Sequence, residues 1–210
     1  MIEVVSSVGM KAALERLRLD GCRFKFGTGA ALKRELDAGL RYDVLILFPE
    51  MMQGMSGVRA VARSCLAMGV RAGAARSDIS SVEKLRAALR SARSIAYSRE
   101  GKSGVLMAAL VERLGMTQEL APKTIRETRA GGAAFNLAEG KAELAFTIAA
   151  EIVPVEGAQL AAFLPGEVRE CVTFAATAAP GAGAEAAAFI QRLRSPEAAA
   201  AYESCGLEPP

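Results

Sequence analysis

Small hydroxyls and glycines occupy the positions where this chain could do chemistry. Residues 94–116, SIAYSREGKSGVLMAALVERLGM, read as a strand, a short polar loop and an amphipathic helix, and the loop holds Gly101-Lys102-Ser103. Those three residues could end a nucleotide-binding P-loop, G-x-x-x-x-G-K-[ST]. Counting back from Gly101 puts Ala96 where the first glycine belongs, and no later apolar strand ends in the aspartate that would hold magnesium. Nucleotide hydrolysis is therefore not expected. The chemistry of a helix start survives that rejection. About four backbone N–H groups there lack internal partners and carry partial positive charge, so such an end can hold an anion. Ser98 and Ser103 offer hydroxyls, Lys102 offers charge, and Gly104 lets the backbone come close. The plain alternative is that Ser103 only caps the helix.

Two further strand-to-helix turns carry similar groups, Ser6-Ser7-Val8-Gly9 and Gly27-Thr28-Gly29. The second is not a dinucleotide fingerprint, because Leu32 replaces its third glycine and Asp43 precedes its strand instead of ending it. Ser, Thr and Gly are ordinary turn residues, but three such turns in one α/β chain would share the carboxyl edges of its strands, where ligands bind.

Catalysis and metal binding have less to draw on. With no histidine, the commonest general base and the commonest metal ligand are both missing. No G-x-S-x-G elbow is present, and no catalytic residue, metal site or cofactor is expected. Glu100, Glu151 and Asp43 read as solvated surface or helix caps. Met10, Met51, Met52, Met55 and Met68 read as core or lobe-contact fillers. Cys22, Cys65, Cys171 and Cys205 lie far apart with no C-x-x-C, so buried free thiols are expected, with one disulfide if the protein is exported.

The elements that position these groups alternate strand and helix. Strands are expected at 2–5, 24–26, 44–47, 65–70, 94–97, 144–148 and 172–177. Val44–Leu47 is a continuous apolar run that suits a parallel strand buried on both faces. Ser80 with Glu83 three residues on reads as a capping box, 115–130 as a charged connector, Gly131-Gly132 as a helix start, and the Ala-rich tail as two helices. The pattern predicts an α/β fold with largely parallel sheets.

Composition narrows the function classes. The 210 residues are 51% hydrophobic and 23% charged, with 26 basic and 23 acidic side chains. That balance does not point to nucleic acid, and few aromatics leave no stacking platform for single strands. No run reaches the ~18–20 apolar residues of a membrane span. The chain opens directly on a strand with no signal region, which favours the cytoplasm for the sequence as written and the periplasm if a signal was removed.

The runs IEVVSSVGMKAALERL, FGTGAALKRELDAGLRYDVLIL, VRAGAARSDISSVEKLRAALRSARSIAYSREGKSGVLMAALVERLGM, GGAAFNLAEGKAELAFTIAAEIVPVEGAQLAAFLPGEV and LRSPEAAAAYESCGLEPP follow one another almost from end to end. In this order they resemble the molybdate-binding-like branch of bacterial extracellular solute-binding proteins. The resemblance implies a two-lobed type II periplasmic-binding-protein fold, each lobe a mostly parallel sheet flanked by helices, with the ligand cleft between lobes. Lobe 1 would be residues 1–74 plus 172–210 and lobe 2 residues 75–171. It further implies a non-enzymatic monomer that holds a molybdate- or tungstate-type oxyanion, or a small organic acid, and partners an ABC transporter permease. Carried over by position, the ligand-binding residues are Ser6, Ser7, Thr28, Gly29, Ser98, Lys102, Ser103, Gly104 and Thr147. The first helix and the segment after residues 44–47 look shorter than in relatives, and Thr147 stands where relatives often have glutamine nearby. Two alternatives stand beside this reading: a ligand-sensing effector-type module, and an enzyme reusing the fold on a small organic acid with Lys102 or Glu151 as catalytic group. A hydroxyl-lined site without histidine predicts an affinity that barely changes between about pH 6 and 8.

Overall fold

The computed structural model describes residues 1–210, which form two compact units, Met1–Ser64 with Val172–Pro210 and Cys65–Cys171. Nine strands run as β1 (Ile2–Ser7), β2 (Cys22–Gly27), β3 (Val44–Leu47), β4 (Arg59–Arg71), β5 (Ile95–Ser98), β6 (Thr124–Glu127), β7 (Leu144–Ile148), β8 (Ala158–Phe163) and β9 (Cys171–Ala178). The helices are α1 (Lys11–Arg16), α2 (Gly29–Asp37), α3 (Val82–Ser91), α4 (Lys102–Arg113), α5 (Thr117–Leu120), α6 (Phe135–Ala138), α7 (Ala184–Arg192) and α8 (Pro196–Glu203). The chain passes between the units through β4 and β9. Residues 65–74, assigned above to the first lobe, belong to the second unit, because β4 pairs there with β7 and β8.

In the first unit β1 lies between β2 and β3, parallel to both, and β9 adds antiparallel to β3. Every residue of β3 is buried, as its apolar run requires of a strand covered on both faces. Val5, Leu45, Leu47 and Ala175 of the sheet pack with Leu32 of α2 and Met52. Each of the Val, Leu and Met side chains contributes about 1.5–3 kcal/mol through removal from water. The first unit also holds the C-terminal helices. Ser195 caps α8 by accepting the Ala198 N–H, with Pro196 in the first turn. On the same helix the buried Tyr202 hydroxyl donates to the Leu193 carbonyl at 2.7 Å. Tyr202→Phe strands that carbonyl and is expected to cost about 1–3 kcal/mol in urea denaturation; an unchanged midpoint would show that the bond contributes nothing.

In the second unit β5 lies between β6 and β7, parallel to both, while β4 runs antiparallel to β7 and to β8. Each sheet thus has a parallel three-strand centre widened by antiparallel strands, and the antiparallel share exceeds the expectation. The connector expected over 115–130 instead folds as α5 and β6. The cap of α3 is Ser81, whose hydroxyl accepts the Lys84 N–H, while the Ser80 N–H donates to Asp78. Ser80 is therefore not the cap, because Asp78 already ties its backbone into the turn before the helix. The expected helix start at Gly131-Gly132 falls in a turn, and α6 begins at Phe135.

Cys65 and Cys171 form a disulfide, so two of the four expected free thiols are paired. Cys22 and Cys205 are free, and of these only Cys205 is buried. No helix is long and apolar enough to cross a membrane.

Candidate functional site

Parallel pairing decides where the hydroxyls go. In the second unit β5, β6 and β7 run the same way, so Ser98, Glu127 and Thr147 lie at or near one carboxyl edge. The chain leaves β5 at Ser98, turns through three residues and enters α4, whose N-cap is Gly101. Ser103 is therefore not the cap. The turn is held by Ser98, whose hydroxyl accepts the Gly101 N–H at 2.8 Å. Gly104 is required by packing: a Cβ there would meet the Ser98 carbonyl oxygen at 1.9 Å. The first turn of α4 thus sits against the end of β5 closer than any side chain permits.

Freed from capping, Ser103 turns its hydroxyl inward. It is 4% exposed, Thr147 is fully buried, and their hydroxyl oxygens lie 3.0 Å apart. Thr147 comes from the interior of β7, fixed there by pairing with Ala67 of β4. On its other side Thr147 is hydrogen-bonded to the carboxyl of Glu151, in the single helical turn that follows β7. Part of Glu151's side chain still meets solvent, but its carboxyl is enclosed by protein. Desolvation pushes that carboxyl above its ordinary range, opposed only by the Thr147 hydrogen bond. Glu151 is therefore neither solvated surface nor a helix cap. Lys102 holds the first position of α4, partly exposed.

The edge of β6 adds a group that sequence reasoning missed. Burial disfavours ionisation of Glu127, but the Arg129 backbone and guanidinium N–H groups and the Asn136 amide outweigh it and hold the carboxyl at about 2. Its two oxygens organise the loop after β6 by accepting from Thr128, Arg129 and Asn136. Only the placement of β6 beside β5 reveals this, and residues 124–127 offer few apolar positions to signal a strand.

The first unit carries its own set. Ser6 and Ser7 end β1, in register with Phe26 and Gly27 of β2, and both are buried. The Ser6 hydroxyl donates to the Ser7 carbonyl at 3.2 Å. Thr28 caps α2 by accepting the Ala31 N–H at 3.2 Å, which leaves its own proton free in principle to donate elsewhere. Gly29 packs under Phe48, where a Cβ would stand 2.7 Å from the ring. Asp43 serves the backbone by accepting the Glu3 N–H at 2.8 Å. The sequence-derived residues thus fall into two groups, Ser6, Ser7, Thr28 and Gly29 on the first unit and Ser98, Lys102, Ser103, Gly104 and Thr147 on the second. No cluster of Cys, Asp and Glu with the makings of a metal site is present.

Chemically, the second group is a set of small donors beside a helix N-terminus, an arrangement suited to an oxygen-rich anion. The sequence profile of bacterial extracellular solute-binding proteins matches residues 2–208. Among solved structures, the periplasmic molybdate-binding protein of Azotobacter vinelandii superposes with a TM-score of 0.80 at 19% identity, covering 100% of both chains. The sulfate-binding protein of Mycobacterium tuberculosis gives 0.70 at 14% identity over 99% of this chain and 86% of that one. At these identities the likeness concerns the type II periplasmic-binding-protein fold. An aconitate isomerase from a Pseudomonas species is 30% identical over 149 residues, 70% of this chain and 56% of that protein. The chain spans little more than half the length of that relative.

Proposed function

Since the chain belongs to the family of bacterial extracellular solute-binding proteins, we propose that it binds a small anion and serves as the binding component of an ABC transport system, its partner a membrane permease. The observation that carries this reading is the buried Ser103–Thr147 hydroxyl pair at the start of α4, with Ser98 and Gly104 shaping the turn beside it. Ser6, Ser7, Thr28 and Gly29 of the first unit and Lys102 of the second complete the proposed ligand-binding set. Molybdate and sulfate appear among the ligands of proteins with this fold, which makes a tetrahedral oxyanion the first class to try and small carboxylates the second.

The test is a thermal-shift screen with molybdate, tungstate, sulfate, phosphate and a panel of di- and tricarboxylates. A ligand at 100 times its dissociation constant adds about 2.7 kcal/mol of stability. Ser103→Ala removes one buried donor and should weaken binding by roughly 1.5–3 kcal/mol, the value of a hydrogen bond to a charged group. A shift that Ser103→Ala leaves intact would move the site away from α4; no shift with any anion would overturn the reading.

A second reading has its own support. The aconitate isomerase relative and the enclosed carboxyl of Glu151 both fit an enzyme acting on a small organic acid. Incubation with either geometric isomer of aconitate, followed by chromatography, separates the readings: conversion favours the enzyme, and a thermal shift without conversion favours the binding protein.

A further inference from the structure

Glu151, Thr147 and Ser103 form a line of three oxygen groups whose internal bonds can be counted. Thr147 Oγ1 is 3.0 Å from Ser103 Oγ and within hydrogen-bond distance of Glu151 Oε2. A hydroxyl has one proton to give, and a carboxyl has one only when protonated. With Glu151 ionised, the two hydroxyl protons serve the two bonds inside the line: Ser103 donates to Thr147, and Thr147 donates to Glu151. Ser103 then turns only lone pairs outward. With Glu151 protonated, the line holds three protons for the same two bonds. Glu151 donates to Thr147, Thr147 donates to Ser103, and the Ser103 proton is free to point outward.

We propose that Glu151 is a proton-binding residue that sets the polarity of the anion site, so that the protein takes up an acceptor-only oxyanion together with one proton held on Glu151. The inference rests on the anion reading above and adds the ligand's class: fully deprotonated oxygens, such as those of molybdate, sulfate or a carboxylate. The line needs no partner residue outside the second unit. Its sign does not depend on which anion is bound, because the number of protons in the line is set by Glu151 alone.

The surroundings of Glu151 favour the protonated form. Burial disfavours its charge, the Thr147 hydroxyl is the one group that opposes this, and no basic side chain contributes. The sign follows from the raised pKa. Below the ordinary value of 4.5 the proton is present in folded and unfolded chain alike, and the stability associated with it is complete. It is lost progressively as the pH rises toward the raised folded value. Affinity follows the same direction: it is full while Glu151 holds its proton, then falls about tenfold per pH unit above the folded value, as one linked proton requires. This replaces the flat profile expected of a site without histidine.

Two measurements test the proposal. The first needs no ligand. The infrared difference spectrum between wild type and Glu151→Gln, followed from about pH 5 upward, should show the carbonyl band of a protonated carboxyl in wild type alone, persisting above the ordinary glutamate range. Its absence would overturn the proposal. The second is calorimetric titration of molybdate and of tricarballylate from about pH 5 to 9, the range in which buried carboxyls titrate. Wild type should lose affinity toward high pH. Glu151→Gln, whose amide donates to Thr147 at every pH, should bind with a flat profile and outbind wild type at the alkaline end. Binding that is equally pH-independent in both proteins overturns the relay and leaves the anion site standing. Failure of both probes at every pH, in a protein that shows the band, removes the anion site and the relay with it.

Discussion

Replacing Gly104 by alanine is expected to destabilise the protein by about 3 kcal/mol or more, beyond the usual 1–3 kcal/mol of overpacking, and to abolish anion-induced thermal stabilisation. The added Cβ would lie 1.9 Å from the Ser98 carbonyl oxygen and 2.6 Å from its carbon. Both are backbone atoms of β5, which is paired on its two sides with β6 and β7, so neither can step aside. The first turn of α4 has to lift instead, and Ser103 lifts with it, away from Thr147. Gly29 makes a useful contrast. A Cβ there would stand 2.7 Å from Phe48, but from the edge of a ring that can tilt, so Gly29→Ala should cost less. Gly166, with nothing within 4 Å of an added Cβ, is the control and should be near neutral. Urea denaturation and the anion thermal-shift screen check all three variants. A Gly104→Ala protein as stable and as responsive as the Gly166→Ala control would show that α4 is not seated as described.

The fold could be read from the sequence wherever burial leaves a continuous apolar signal. Residues 44–47 and 144–148 are wholly buried; the first is an unbroken apolar run and the second is interrupted only by Thr147. β6 and β8 were not legible for the opposite reason. β6 is the four residues Thr-Ile-Arg-Glu with none buried, and β8 is half-buried from Ala158 to Ala162 and exposed at Phe163, so neither alternates nor forms a buried run. β4 was legible only over its buried end. Its first half mixes exposed arginines with buried Val61 and Ala62, a pattern that looks like loop until β9 is known. At the candidate site, types were legible and roles were not. Ser98, Ser103 and Thr147 could be singled out because turns at a carboxyl edge place their hydroxyls. Yet the Ser103–Thr147 bond joins residues 44 apart in sequence, and no local rule links them. Glu151 looked like surface because a glutamate after an apolar strand usually is. It ends a single helical turn, too short for any periodic signal. The cysteines show the same limit most sharply, since four of them allow three complete pairings, and the chain instead joins the second to the third and leaves the first and last free.

That bond carries the other large expectation. Reduction of Cys65–Cys171 should lower the stability of the protein by about 2–5 kcal/mol, because the bond closes a loop of 106 residues, and loops near 100 residues lie at the upper end of the entropic range. The two cysteines are also the first and last residues of the second unit. The bond therefore fastens together the strands by which the chain enters and leaves it, β4 and β9, and confines the unfolded segment between them to a ring. For a chain of this length the loss should lower the thermal midpoint by on the order of 10 °C. The Cys65→Ala/Cys171→Ala double variant should match the reduced wild type. Cys22→Ala/Cys205→Ala, which removes the free thiols, should keep the response to reductant. Thiol titration in denaturant supplies the decisive count. Without reductant two thiols should react, those of Cys22 and Cys205, and four should react after reduction. Four reactive thiols in protein purified without reductant would mean the bond does not form. Two reactive thiols with an unchanged midpoint on reduction would mean instead that the native pairing of β4 with β7 and β8 already holds the ends of the second unit together, and that the bond adds nothing the strands do not supply.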